Sequence, residues 1–224
     1  MNAILFGSIS TVADTSELQR HAFNQAFEAH GLDWHWGHDD YVAMLEHNGG
    51  QARIAAYAES RGQDVDAAAI HDSKSKIFQN TLATGEFSPR PGVVETVEKA
   101  RAEGVKLALV TTTSDTNVGA LVAAMKPALD LTSFDLVVDS SHVDEVKPDK
   151  AVYLHALDRL NESADSCIAI EDNVGGVQSA VAAGLRVVAF PNENTAGHTF
   201  DQASSRVEKL DFAELRDFTP DAIA

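Results

Sequence analysis

The chain has 224 residues, 44% hydrophobic and 23% charged, enough to bury a substantial core as one compact domain or a domain with an insert. Its formal charge of -17 disfavours nucleic acid and anionic membranes as partners, since both attract clustered Lys and Arg. The single cysteine, Cys167, excludes an intrachain disulfide and a cysteine metal site and reads as a small core hydrophobe, in keeping with a reducing compartment.

Met1 runs almost directly into the apolar segment Ala3 to Phe6, without the basic start and long apolar stretch of a signal peptide. No later segment reaches membrane-spanning length, so a soluble, cytoplasmic protein is expected. About seventy residues without a comparable strand signal follow, reading as helices near Ser16 to His30, Asp39 to Glu46, Gln51 to Arg61 and Val65 to Thr84. Gly31, Gly62 and Gly85 close three of them, and Ser88-Pro89-Arg90-Pro91-Gly92 marks the return to a different rhythm. From there strands at Val105 to Val110, Leu136 to Val138, Ile168 to Ile170 and Val187 to Phe190 alternate with helices at Val93 to Glu103, Asp115 to Met125 and Val174 to Ala183. Pro148 suits the first turn of a further helix.

This strand-helix alternation predicts an α/β doubly wound parallel sheet with helices on both faces, formed by residues 1–14 and 85–224. Residues 15–84 form an all-helical insertion. Because it leaves the sheet directly after the first strand, it should hang over the strands' carboxyl ends, where such sheets bind ligands, and act as a lid.

Four strand-end features point to chemistry. Glu171-Asp172-Asn173 follows a buried strand, and two carboxylates there suit a magnesium ion, with Asp172 the chief ligand and Glu171 assisting; the pair suits capping the next helix equally well. Thr111, followed by Thr112, ends another strand with hydroxyl and backbone donors able to hold a phosphate oxygen. Lys147 supplies a point positive charge, although a lone lysine is ordinarily exposed. The first strand, in contrast, ends in Phe6-Gly7-Ser8-Ile9-Ser10-Thr11 and offers no carboxylate.

Taken in order, Thr111, Lys147 and Glu171-Asp172, with Asn173, Gly176 and the helix end Ala180 to Leu185, resemble the haloacid dehalogenase-like hydrolase superfamily, in its sugar-phosphate phosphatase and phosphoglucomutase branch with a helical cap. The resemblance covers nearly the whole chain. It implies a Rossmann-like core with a cap, a pocket for a small phosphorylated metabolite, and a magnesium ion. It also implies an aspartate nucleophile at the position of Gly7 and an aspartate acid/base at that of Ile9; Ser10 replaces a glycine, while Thr11 and Asp14 match. Loss of both groups predicts a weak or inactive phosphatase that serves as a phosphometabolite-binding protein. The alternative is an active magnesium-dependent phosphate-monoester hydrolase using an unconventional nucleophile or metal-activated water.

None of the neighbouring side chains is a ready substitute. Strand alternation should aim Ser8 elsewhere, Ser10 lacks an evident base, His21 belongs to the lid or its surface, and Asp14 is too far along the turn. In the cap, His47 to Ile54 resembles the cap loop of Calvin-cycle-associated sugar-bisphosphate phosphatases, which implies Arg53, then Gln51, as ligands for a distal phosphate. Lys74 matches a cap lysine of the same branch, whereas Gln19 stands where its mutases carry a histidine. Trp34 and Trp36 are expected to pack, not to bind.

Overall fold

The computed structural model describes residues 1–45, 49–126 and 128–217. Six parallel strands form one sheet: β1 (Ala3–Phe6), β2 (Lys106–Val110), β3 (Leu136–Val138), β4 (Cys167–Glu171), β5 (Arg186–Ala189) and β6 (Ser205–Arg206), in the order β3-β2-β1-β4-β5-β6. The short β6, without an apolar run, escapes a reading based on hydrophobicity. Helices in chain order are α1 (Ile9–Val12), α2 (Ser16–Ala29), α3 (His38–Met44), α4 (Gly50–Ser60), α5 (Ala67–Thr84), α6 (Val93–Ala102), α7 (Asp115–Met125), α8 (Ala151–Leu160), α9 (Val174–Ala182) and α10 (Phe212–Asp217).

Period-two alternation assigns each strand residue to one of two apolar layers. Ile4 and Phe6 of β1, Leu107 and Leu109 of β2, and Ile168 and Ile170 of β4 pack with α6, α7 and α10 on one face. Ala3 and Leu5, Ala108 and Val110, and Cys167 and Ala169 face the other way, against α8 and α9. Each fully buried Leu, Ile or Phe contributes roughly 1.5–3 kcal/mol to holding these layers together.

Helices α2 to α5 lie between β1 and β2 in sequence and share a third apolar cluster built on Phe23, Phe27, Trp34, Trp36, Tyr41, Ile54 and Ile70. Trp36 is fully buried, its ring 4.8 Å from that of Phe23 and 4.7 Å from that of Phe27, so the tryptophans pack as expected. The long α5 also contributes Phe78 and Leu82 to the sheet-side layer, and Gln79 Nε2 donates to Asn117 Oδ1 on α7 at 2.9 Å. Glu46, His47 and Asn48, which complete two of the segments read from the sequence, lie outside the described residues.

One local expectation needs correction. Pro148 does not open a helix: α8 begins at Ala151, whose amide donates to Asp149 Oδ1 at 2.8 Å, so the aspartate sets the start. Gly31, Gly62 and Gly85 close their helices as expected, the first two at positive φ and Gly85 in an extended conformation.

Candidate functional site

Strand order reverses at β1, where β2 lies on one side and β4 on the other, and the carboxyl ends there define the ligand crevice of an open α/β sheet. A cleft of ≈ 670 Å³ opens at that point, walled by the strand ends below and by residues of α2 to α5 above. It brings together Gly7, Ile9, Gln51, Arg53, Lys74, Thr111, Thr112, Lys147 and Asp172, nearly every residue singled out from the sequence.

Glu171 is the exception. It is 0% exposed, and its carboxylate folds beneath the cleft floor, where Oε1 accepts from Lys147 Nζ at 2.6 Å and from the Tyr153 hydroxyl at 2.6 Å. Two glycines make room for it. A Cβ at Gly7 would lie 2.2 Å from Glu171 Cδ and 2.3 Å from the Tyr153 hydroxyl, and a Cβ at Gly176 would also lie 2.2 Å from Glu171 Cδ. Burial raises the Glu171 carboxyl above its usual range, against the opposing pull of Lys147. The same burial raises the Tyr153 hydroxyl, with Glu171 adding to it.

The ammonium of Lys147 donates to Gly7 O, to Val110 O at 2.8 Å and to the Glu171 carboxylate, with the Tyr153 hydroxyl at 3.4 Å. Three protons therefore meet four acceptors. The salt bridge is buried, its side chains 5% and 0% exposed, so breaking it would strand a charge.

Asp172 lines the cleft and is held from several sides. Its Oδ1 accepts from Ser8 Oγ at 2.8 Å and Asn173 Nδ2 at 3.0 Å, its Oδ2 accepts from Asn192 Nδ2 at 2.8 Å, and its carbonyl accepts from Thr195 Oγ1 at 2.6 Å. Below it Arg90 donates to Ser10 O at 3.1 Å and Phe190 O at 2.7 Å, tying the first and fifth strand ends together. Ser8 was expected to point away. It caps α1 instead, Oγ accepting from the amides of Ser10 at 3.0 Å and Thr11 at 3.2 Å, because the strand stops at Phe6 and its alternation no longer applies. Ile9 packs into the sheet-side core, and Ser10 Oγ is engaged with Thr15 Oγ1 at 3.0 Å. Asp14 precedes α2, its Oδ1 accepting from Ser16 N at 3.0 Å, and the exposed His21 sits beside Glu17.

On the adjacent wall Thr111 Oγ1 accepts from Thr113 N at 3.1 Å, and Thr112, Thr113 and Ser114 continue the polar surface into α7. Opposite, Lys74 is 5% exposed, its ammonium 4.8 Å from the Phe23 ring centre and 5.3 Å from that of Phe78, and it donates to Gln19 Oε1. No carboxylate pairs with it among the described residues. Burial, with Arg53 adding repulsion, pulls its pKa down to about 7. Arg53 donates to Met44 O at 3.1 Å and lies 5.6 Å from the Tyr41 ring centre. Burial likewise lowers His71, with Lys74 contributing.

Among the described residues the two expected magnesium ligands do not come together. Only Asp172 faces the cleft, Glu171 is turned beneath its floor, and Gly7 brings no carboxylate. Among the described residues no group of three or more His, Cys, Asp or Glu converges as a cation would need. Tyr153, Asn192 and Arg90 escaped the sequence reading, and Ser8 was set aside: Tyr153 is part of an apolar helix stripe, and the others act through turns that carry no periodicity.

A sheet of this order, with its ligand crevice at the β1 and β4 ends, is the frame of a hydrolase class, and residues 7–190 match the family described as haloacid dehalogenase-like hydrolase; the chain belongs to that family. It is 40% identical over 218 residues to Protein CbbY of Rhodobacter capsulatus, covering 95% of both chains. Two solved structures of CbbY from Rhodobacter sphaeroides, one in complex with phosphate and the other a mutant in complex with xylulose-(1,5)bisphosphate, are each 36% identical, cover 96% of both chains and superpose with a TM-score of 0.86. No helix of the described residues is long and apolar enough to cross a membrane.

Proposed function

We propose that this protein binds a small phosphorylated metabolite, of the sugar-phosphate class, in the cleft between the strand ends and the inserted helices, and hydrolyses it weakly or not at all. One observation carries this reading: the Glu171 carboxylate and the Tyr153 hydroxyl occupy the volume that a nucleophilic side chain at Gly7 would need. The complex of the CbbY relative with xylulose-(1,5)bisphosphate supports the ligand class. Cleft residues divide the work. Thr111 and Thr112 offer hydroxyl and backbone donors at one end, Lys147 braces the strand ends from below, and Gln51, Arg53 and Lys74 reach in from the other side. Ile9, buried in the core layer, has no proton to give a leaving group. The helices of residues 15–84 close over the ligand and exclude water.

A second reading, turnover through an unconventional nucleophile, has one contact in its favour: Ser8 Oγ donates to Asp172 Oδ1 at 2.8 Å, so a hydroxyl at the strand end faces a carboxylate able to take its proton. Phosphate release over a panel of sugar phosphates, with magnesium present, separates the two. Repurified wild type and the Ser8→Ala variant should release phosphate equally slowly, at or near the protein-free rate. Turnover by wild type that disappears in Ser8→Ala and in Asp172→Asn would establish the second reading.

A further inference from the structure

We infer that residues 192–198 form a two-ended latch that ties Asp172 on the cleft floor to helices α2 and α3 of the insertion, with Asn192 and Asn194 as the positioning residues of its two ends. A change at either end is felt at the other.

The segment follows β5 and carries the turn Glu193–Thr195. Asn192 and Thr195 lock this turn against itself: Asn192 Oδ1 accepts from Thr195 N at 3.1 Å, and Thr195 Oγ1 accepts from Asn192 N at 3.0 Å. Both residues are buried, so the turn moves as one piece. On the floor side Asn192 Nδ2 donates to Asp172 Oδ2 at 2.8 Å, and Thr195 Oγ1 donates to Asp172 O at 2.6 Å. On the insertion side Asn194 Nδ2 donates to Glu17 Oε1 of α2 at 2.9 Å, and His198 Nε2 lies 3.2 Å from Val42 O of α3. That nitrogen carries the proton, because a carbonyl oxygen has none to give. Glu17 is a charged acceptor: hydrogen bonding from Arg20 above all, with Asn194 and His38 adding, lowers its pKa to about 2.

Two atoms show that the engaged latch is poised, not locked. Asn194 Oδ1 and His198 Nδ1 are buried acceptors without a hydrogen-bond partner among the described residues. Lifting the segment gives both to water, which offsets the loss of the bonds to Glu17 and Val42. Coupling between two sites requires an element with two arrangements close in free energy that both sites bias, and this stiff turn touches both. Asp172, Asn192 and Thr195 all line the cleft, so an occupant that draws on the Asp172 oxygens changes how firmly α2 and α3 are held.

Amide hydrogen exchange of the whole protein, resolved residue by residue, tests this with substitutions that exchange a single group. Asn192→Asp turns an oxygen toward Asp172 while keeping the acceptor for Thr195 N, and Asn194→Asp turns one toward Glu17. Each variant should speed exchange about tenfold at both ends, in α2 and α3 and at the Asn192 and Thr195 amides, while β1 and β2 keep their wild-type rates. Adding Glu17→Gln to Asn194→Asp restores a donor facing an acceptor and should bring both ends back to within about twofold of wild type. Faster exchange confined to the altered end, or wild-type rates throughout, overturns the inference. So does a double variant no better than Asn194→Asp alone, or loosening that reaches β1 and β2 equally, since either marks a general loss of stability.

Discussion

At residue scale, two positions carry opposite stability signatures. Lys74 is held in the cleft with its pKa lowered from 10.5 to about 7. Its unfolded form keeps the proton more tightly, so between about pH 7 and 10.5 unfolding takes up a proton, and stability rises with pH across that window; below it the cost is fully present. Lys74→Met should flatten this slope in pH-dependent unfolding and, measured below pH 7, raise the thermal midpoint by about 3 °C or more. An unchanged slope would show that another group produces it. Gly7 has the reverse character, since any side chain there must dislodge Glu171 from Lys147 and Tyr153. Gly7→Ala should cost about 3 kcal/mol in denaturant unfolding, the scale of a broken buried pair. In a double-mutant cycle with Glu171→Ala the combined loss should fall well short of the sum, because the second change removes the obstacle met by the first. An aspartate at Gly7, the carboxylate that the resemblance implies there, meets the same obstacle.

Among the elements, the buried strands were legible because parallel strands covered on both faces are continuous apolar runs: Ala3–Phe6 and Leu136–Val138 stand where the sequence places them. The helices over residues 16–84 and 93–125 were legible from their spacing to within a residue or two at their ends. What escaped had no periodic signal. The Ser8 turn, the two-residue β6 and the start of α8 are decided by single hydrogen bonds and short pairings. The candidate site was legible as a set of residues, yet the inward fold of Glu171 was not, because it depends on a volume shared by β1, α8 and α9 that no one segment reveals. The helices of the insertion make a prediction of their own. Trp36 joins α2 to α3 through Phe23, Phe27 and Tyr41, and its backbone exchanges hydrogen bonds with Asn24 at 2.8 and 3.0 Å. Trp36→Ala should cost about 3–5 kcal/mol and loosen these helices first, read as faster amide exchange in α2 and α3 than in the sheet.

On the scale of the whole molecule, a chain of charge -17 brings Lys74 and Arg53 into one cleft with the strand ends, where Lys147 is paired with Glu171 and Asp172 lines the floor. The chain has the fold and sheet order of the haloacid dehalogenase-like hydrolase family, while the proposed reading rests on Gly7 and Ile9 carrying no carboxylate at the end of β1. Fold and function separate at that point. Phosphorus NMR of the repurified protein with a sugar phosphate at equal concentration reads both halves of the account in one sample. A shifted or broadened ligand resonance that persists for hours, with no inorganic phosphate signal growing in, is the predicted result. A steadily rising inorganic phosphate signal, absent when Asp172→Asn replaces wild type, would contradict it.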